Sequence, residues 1–546
     1  MLIKLFNKIK KQKNFHLLLL FFIFLLAAYL RFSNLNWDRG LALHPDERNI
    51  ARAVVNLDWP EKTDPEFYAY NGFPLFLTDI SSQIISYLSN DIQWQTDFAK
   101  INLITRAYSA LFSFLTVIFF YLIGKELFKK KTSLIITFLA STTVTFIQHA
   151  HFGVTESLLL LELLILTWLS IKLIKEKKQK FLLAMAIVLG ISFATKSSAL
   201  AFALVPISAL LMVHQLKAKT LLKLIAFFGI SALIFFTASP NTFFNFQKFL
   251  STMQYEQAVA SGQEKIFYTM QFINTTPYLF PIKTLMWQSS FVLLITAGWG
   301  FYLFMKNKEK YKLLWPFMLF SALYFLYVGR WYAKFNRYLI PFIPALIILT
   351  GLSIDQLKNK KIEKILITLL LITHSIWALS FIQIYQQEHI RITASRWIEN
   401  NIAEQSTILH EERDERLPVI FSEPINYQYL LLELYQVDSL EKINNLSEQL
   451  AKGDYLIIAS QRLYRTIPRS DEHPYTSNYY HLLFAEELGY QKIMGFASYP
   501  KLLGVDIKDD GVEETFRVFD HPTIFIFKNV DHLSREELFE MIIEKN

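Results

Sequence analysis

Apolar residues dominate the chain in runs of a length that a bilayer dictates. They fall at approximately 15–32, 101–123, 132–149, 154–171, 181–195, 197–213, 220–239, 286–305, 313–329, 335–353 and 363–384. An α-helix needs roughly 20 mostly apolar residues to cross the hydrocarbon core, and helices satisfy their backbone groups internally. The pattern therefore predicts a mainly α, polytopic membrane bundle of about 11 transmembrane helices by hydropathy. The gaps between runs alternate in character. Lysines crowd the N-terminus, 125–131 (KELFKKK), 172–180 (KLIKEKKQK), 217–223, 306–312 (KNKEKYK) and 358–364 (KNKKIEK). By the positive-inside rule these gaps are cytoplasmic. Outward-facing segments are then 33–100, 149–156, the turn at Lys196, 240–285, 329–337 and everything after 385. Phe15 to Phe32 is read as an uncleaved anchor, because no small-x-small cleavage site precedes Arg31. The expected location is the plasma (inner) membrane, with the N-terminus cytoplasmic.

From about Tyr385 the period changes. ITASRWIENNIAEQ reads as a helix, and DYLIIAS and TIFIFKN read as strands. The expected organisation is a membrane domain over 1–384 and an extracytoplasmic soluble α/β domain over 385–546.

Composition sharpens this picture. Hydrophobic residues make up 53% of the chain and aromatic residues 16%, with a mean hydropathy of +0.27. That exceeds what a soluble core hides, so the excess faces lipid. The formal net charge of +8 sits in short gaps between apolar runs, which makes it a topological signal, and no nucleic-acid partner is expected. Cysteine is absent, which excludes disulfides, thiolate metal sites and cysteine nucleophiles.

Candidate chemistry gathers in the outward segments. In GLALHPDERNIARAVVNL, Pro45 suits the first turn of a helix, with Asp46 and Glu47 at its positive end. Ile50, Val54 and Leu57 then form one side and Arg48, Asn49 and Arg52 another, an amphipathic pattern suited to the membrane interface. The two acids serve either a site or simply the helix N-terminus. In HAHFGVTESLLLLELLIL, Glu156 marks a helix start and Glu162 lies within an apolar run, where an ionisable group is a functional candidate by default. His149, His151 and His44 could bind a divalent ion with an acid, although ordinary hydrogen bonds are the simpler reading. No cofactor is required by the residues, and a divalent cation finds no specific support. Lys196, Arg330, Lys334 and Arg337 concentrate positive charge in outward turns, where it is under-represented, and a phosphate group or anionic headgroups would explain them. The segment 240–285, with Tyr255, Glu256, Tyr268, Pro277 and Pro281, is long enough to be a cover or acceptor-binding element. Asp509, Asp510, Glu513 and Glu514 read as a solvated acidic turn.

The acidic pair at Asp46, the acid opening a later helix at Glu156, the G-I-S-F-A-T-K-S-S run around Lys196 and R-Y-L-I-P-F-I-P from Arg337 together resemble the GT-C membrane glycosyltransferases. The likeness is to family 39, the protein O-mannosyltransferase and aminoarabinose transferase group, and it covers about two thirds of the chain. Two departures stand out: Glu156 replaces a more usual Asp, and the W-W-D signature of oligosaccharyltransferases is missing. The resemblance implies a polyprenyl-phosphate-linked sugar donor and inverting transfer to an acceptor hydroxyl of a protein, lipid or glycan. It makes Asp46 the general base with Glu47 supporting it. Lys196, Arg330, Lys334 and Arg337 would bind the donor phosphate, with Glu156, His44, Arg48, Arg52 and Tyr338 supporting them or the acceptor.

Two competing classes remain at this stage. A lipid or solute transporter would account for many helices and for Glu162, but transporters tend to place charges near the midplane within repeat-related halves. An anchored binding protein would need only one or two spans.

Overall fold

The structure is a computed structural model describing residues 15–58, 60–214, 217–419 and 426–544. The lysines before Phe15, used above to orient the chain, lie outside these residues. Two compact units result, Met1–Gln257 with Pro277–Ile382, and Ala258–Thr276 with Gln383–Asn546.

In the first unit every predicted apolar run lies on helix. Seven helices among the described residues are long and apolar enough to cross a membrane: Phe15–Phe32, Phe98–Leu127, Glu156–Glu176, Ser197–His214, Ala218–Ala238, Asn336–Gln356 and Lys360–Asn401. Two further runs are bent pairs, Lys130–Thr142 with Val144–His151 (48°) and Leu279–Gln288 with Phe291–Lys306 (118°), and two are shorter apolar helices, Gln179–Thr195 and Lys312–Val328. The first bend has a visible partner. Breaking the helix at Thr143 frees carbonyls just before it, and the fully buried Arg31 guanidinium donates to Ala140 O (3.0 Å), Ser141 O (2.9 Å) and Ser113 Oγ (2.9 Å). The second bend shifts a boundary, since the expected run from 286 straightens only at Phe291, where Ser290 Oγ caps the helix by accepting from Leu293 N.

Five helices position the site: α1 (Pro45–Val55), α2 (Gly72–Ser89), α3 (Phe98–Leu127), α4 (Glu156–Glu176) and α5 (Gln179–Thr195). Helix α1 turns its apolar side to protein. It buries Glu47, Ile50, Ala51, Ala53 and Val54 and packs against α2 and α3, because its apolar side finds protein before it finds lipid. The expected loop 33–100 instead contains α2, with inverted amphipathicity: Thr78, Asp79, Ser82 and Ser86 are buried, while Ile80, Ile84, Tyr87 and Leu88 are exposed. The lysine-rich turns share one end of the bundle. Lys172 and Lys175 pair with Glu126 at 2.8 and 2.7 Å, and Lys131 pairs with Glu363 at 2.7 Å. Glu156 opens α4 at the end opposite Lys172 and Lys175, and 21 residues at about 1.5 Å each separate the two ends by roughly 30 Å.

The second unit is α/β. Strands β1 (Thr407–Glu411), β2 (Gln428–Leu432), β3 (Tyr455–Ile458), β4 (Tyr490–Ala497) and β5 (Thr523–Asn529) form a sheet in the order β2-β1-β3-β5-β4. β1 runs parallel to β2 (Ile408 beside Tyr429) and to β3 (Ile408 beside Tyr455), whereas β5 is antiparallel to β3 and β4. The expected 240–285 segment divides between units, since Ala258–Thr276 packs with this sheet domain. Nor is the acidic stretch a solvated turn. Asp509 is fully buried and accepts from His521 Nε2 (2.9 Å), and Glu514 accepts from Arg462 Nε (2.7 Å). Burial would depress His521, but Asp520 and Asp509 outweigh it and hold the imidazole up at about 9.

Candidate active site

His44 precedes α1 in an extended conformation, and its Nδ1 accepts from Asp46 N at 3.2 Å. Pro45 starts the helix at no cost in donors. Asp46 then points its carboxylate outward, and Glu47 points inward. This divergence separates their roles.

Glu47 is fully buried and saturated. Arg106 of α3 grips it with two bonds, Nε to Oε1 (2.8 Å) and Nη2 to Oε2 (2.6 Å), and Gly153 N donates to Oε1 at 2.5 Å. The same guanidinium binds Asp38 through Nη1 and Nη2 (2.8 Å each) and covers the Trp37 ring at 4.6 Å. Burial opposes ionisation of Asp38, yet Arg106 and two backbone amides bring it down to about 2. Glu47 thus anchors the loop that carries Asp46, and no reacting group can reach its occupied carboxylate.

Asp46 meets two partners from distant parts of the chain: Oδ2 accepts from Tyr70 OH (3.1 Å) and from Arg337 Nη1 (2.9 Å). Its side chain keeps 27% exposure, enough for a ligand to reach it. Desolvation would raise this carboxyl, but Arg337, His44, Lys196 and the Tyr70 hydroxyl together bring it below the ordinary carboxylate range. It is therefore ionised at neutral pH. Tyr70 is pushed well above the normal phenol range, first by burial and then by Asp46 and Glu156, and stays a hydrogen-bond donor.

A second ion pair lies on the other side of Tyr70. Lys196, extended at the end of α5, reaches Glu156 Oε1 at 3.1 Å while its ammonium sits 4.8 Å from the Tyr70 ring centroid. The turn is held by its neighbours. Thr195 Oγ1 donates to Glu162 Oε1 (2.9 Å), which gives the buried Glu162 a structural partner, and Asn71 donates to Thr195 O (3.2 Å) and Phe193 O (2.5 Å). Asn71 thus ties the Tyr70 segment to the Lys196 turn. Beside Tyr70 a small, open-sided and largely apolar cleft is lined by Pro74 and Leu77 of α2, Tyr108 and Phe112 of α3, and Thr155.

The remaining candidates are placed as follows. Arg337 is half-buried against the Phe335 and Tyr338 rings (5.1 and 5.8 Å), so Tyr338 flanks the cation. Lys334 donates to Tyr332 O (3.0 Å), and burial pushes it below the usual lysine range. Arg330 and Arg52 are exposed and Arg48 is half-buried. Among the described residues no ion pair joins these four to Asp46 or Glu156, whereas Lys196 and Arg337 each hold one of the two acids. The H-x-H histidines bond to backbone, His149 Nδ1 to Thr145 O (2.9 Å) and His151 Nε2 to Ser33 O (2.8 Å). No group of acids and histidines among the described residues is arranged to hold a metal ion.

Residues 98–244 match the model of the dolichyl-phosphate-mannose-protein mannosyltransferase family. That segment marks the chain as a membrane glycosyltransferase. Arg106, Glu156, Glu162 and Lys196 lie within this stretch, and Asp46 and Arg337 lie outside it. No curated protein sequence matches the chain. Among solved structures it is similar to the Cupriavidus metallidurans ArnT bound to undecaprenyl phosphate, with 11% identity and a TM-score of 0.44 over 95% of this chain and 98% of that one. It is also similar to the Archaeoglobus fulgidus oligosaccharyltransferase (12%, 0.46, covering 91% and 76%). The Saccharomyces cerevisiae protein O-mannosyltransferase Pmt1–Pmt2 complex bound to its sugar donor matches less of each chain (15%, 0.33, covering 43% and 34%).

Sequence reasoning passed over Tyr70, Asn71, Asp38 and Arg106. Arg106 carried a usable signal, because a lone arginine inside an apolar run demands a partner. Tyr70 carried none, one of 26 tyrosines in an unpatterned loop.

Proposed function

We propose that this enzyme transfers a sugar from a polyprenyl-phosphate carrier to an acceptor hydroxyl on the extracytoplasmic side of the membrane, with inversion at the anomeric carbon. The observation that carries the reading is an accessible carboxylate, Asp46, paired with Arg337 on one side of Tyr70, and a second cation, Lys196, paired with Glu156 on the other. Such a site takes a proton on one side and a phosphate on the other. The acceptor oxygen forms the new bond to the anomeric carbon as its proton passes to Asp46. The bond from that carbon to the phosphate oxygen breaks, its electron pair leaves with the polyprenyl phosphate, and Arg337 and Lys196 neutralise the departing charge. The sided distribution of lysine-rich turns supports the extracytoplasmic assignment. The acceptor is a hydroxyl of a protein, lipid or glycan, and Arg337 and Lys196 supply fixed positive charge for the departing phosphate.

The test is transfer of radiolabelled sugar from polyprenyl-phosphate donor to endogenous acceptors in membranes containing the protein. General-base assistance is worth about 10²–10⁴-fold, so Asp46→Asn should lose turnover by that factor at unchanged expression and insertion. Full activity of Asp46→Asn removes this carboxylate from the mechanism. Transport of a labelled lipid or solute with no new glycosidic bond favours the transporter class instead.

A further inference from the structure

Each cation at the site already holds a carboxylate. Arg337 Nη1 is 2.9 Å from Asp46 and Lys196 Nζ is 3.1 Å from Glu156. A phosphate arriving between them cannot use either cation fully without loosening a pair. Two buried atoms in the same cluster are left without a partner: Arg337 Nε, a donor lacking an acceptor, and Glu156 Oε2, an acceptor lacking a donor. Buried polar atoms are rarely unmatched, and the pair of vacancies has opposite demands. Arg337 Nε asks for an anionic oxygen, and Glu156 Oε2 asks for a hydroxyl. A glycosyl phosphate offers both on one molecule.

Building on the lipid-phosphate reading above, we infer that Asp46 and Glu156 are placeholders that occupy the two cations until the donor arrives. The donor phosphate takes over Arg337 and Lys196. The two carboxylates, released in the same event, turn to hydroxyls, with Asp46 receiving the acceptor and Glu156 a hydroxyl of the donor sugar. Glu156 is thereby a specificity-determining residue rather than a second base. The arrangement explains why this helix start carries a glutamate. Its longer side chain reaches Lys196 with one oxygen and leaves the other buried without a partner. The exchange also protects the resting site, because a carboxylate locked to Arg337 does not activate water while no donor is bound.

The placeholder role makes a prediction opposite in sign to that of a simple binding residue. Removing a placeholder carboxylate frees a cation and should tighten the grip on phosphate. The probe is undecaprenyl phosphate without sugar, titrated by calorimetry into the full-length protein in detergent. Asp46→Asn and Glu156→Gln should each bind it about 3–10-fold more tightly than wild type, the size expected for removing one partly buried competing pair. Asp64→Asn makes the same change in net charge at a carboxylate that pairs with Lys248 and with neither cation of the cluster, and should bind like wild type. Arg337→Gln should weaken binding. With donor carrying its sugar, Glu156→Gln should lose the gain, since its carboxamide no longer accepts the sugar hydroxyl as a carboxylate does. Unchanged or weaker binding by both Asp46→Asn and Glu156→Gln, with Arg337→Gln weakened, overturns the placeholder role and leaves the lipid-phosphate reading intact. Equal tightening by Asp64→Asn reduces the effect to net charge and also overturns it. No binding to wild type removes both.

Discussion

Arg106→Lys tests whether the buried triad Asp38–Arg106–Glu47 holds the loop that presents Asp46. The wild-type guanidinium makes four hydrogen bonds to two fully buried carboxylates, at 2.6 to 2.8 Å, and a fifth to Leu35 O at 3.0 Å. Lysine keeps the charge but has three donors on one atom and cannot fork two carboxylates. At least two charge-assisted bonds are lost, at about 1.5–3 kcal/mol each, which is comparable to the 3–5 kcal/mol typical of breaking a buried ion pair. The variant should therefore unfold about 3 kcal/mol or more below wild type and lose transfer activity although Asp46 itself is untouched. Arg106→Met should be worse, because two buried carboxylates then lack any counter-charge. The assay is thermal unfolding of detergent-purified protein beside sugar transfer from labelled donor. A triple variant, Asp38→Asn, Glu47→Gln, Arg106→Met, should regain much of the stability, since a neutral triad carries no unpaired charge. An Arg106→Lys protein with wild-type melting and turnover would refute the argument.

Tyr70→Phe removes the hydroxyl on Asp46 but keeps the ring beneath Lys196. It should lower kcat in the transfer assay about tenfold, within the 0.5–1.5 kcal/mol of a net hydrogen bond, and leave unfolding nearly unchanged. Gly153→Ala should destabilise the same loop, because a Cβ there collides with the Thr105 side chain, its Cβ at 2.8 Å, while Gly153 N holds Glu47; a melting temperature equal to wild type would contradict this. In the sheet domain, burial raises Glu411 to about 8, with Tyr480 OH donating to it at 2.6 Å. Its folded pKa exceeds the unfolded value of about 4.3, so the fold loses stability as pH rises from near 4 to 8, by up to a few kcal/mol. Glu411→Gln, which keeps the acceptor for Tyr480, should melt increasingly above wild type between about pH 5 and pH 9, and a difference that does not change with pH would exclude this cause.

Periodicity and charge carried the architecture. A stretch of about 20 apolar residues has one stable conformation in hydrocarbon whatever its neighbours, so the runs from Phe15–Phe32 to Lys360–Phe381 were legible one segment at a time. The α/β character of the closing domain was legible for the same local reason. The fate of α1 was not, because an amphipathic helix reads alike whether its apolar side meets lipid or the flank of α3. Nor was the sheet order, in which β5 enters between β3 and β4. At the site, the sequence alone determined which residues carry charge where a membrane protein tolerates little of it: Asp46, Glu156, Lys196 and Arg337. Only the tertiary structure decided that Asp46 faces Arg337 across 291 positions of chain and that Glu47 one residue later is locked to Arg106. Helical rotation sends consecutive side chains about 100° apart, and long-range packing then selects which of them meets solvent and which is buried with a counter-ion.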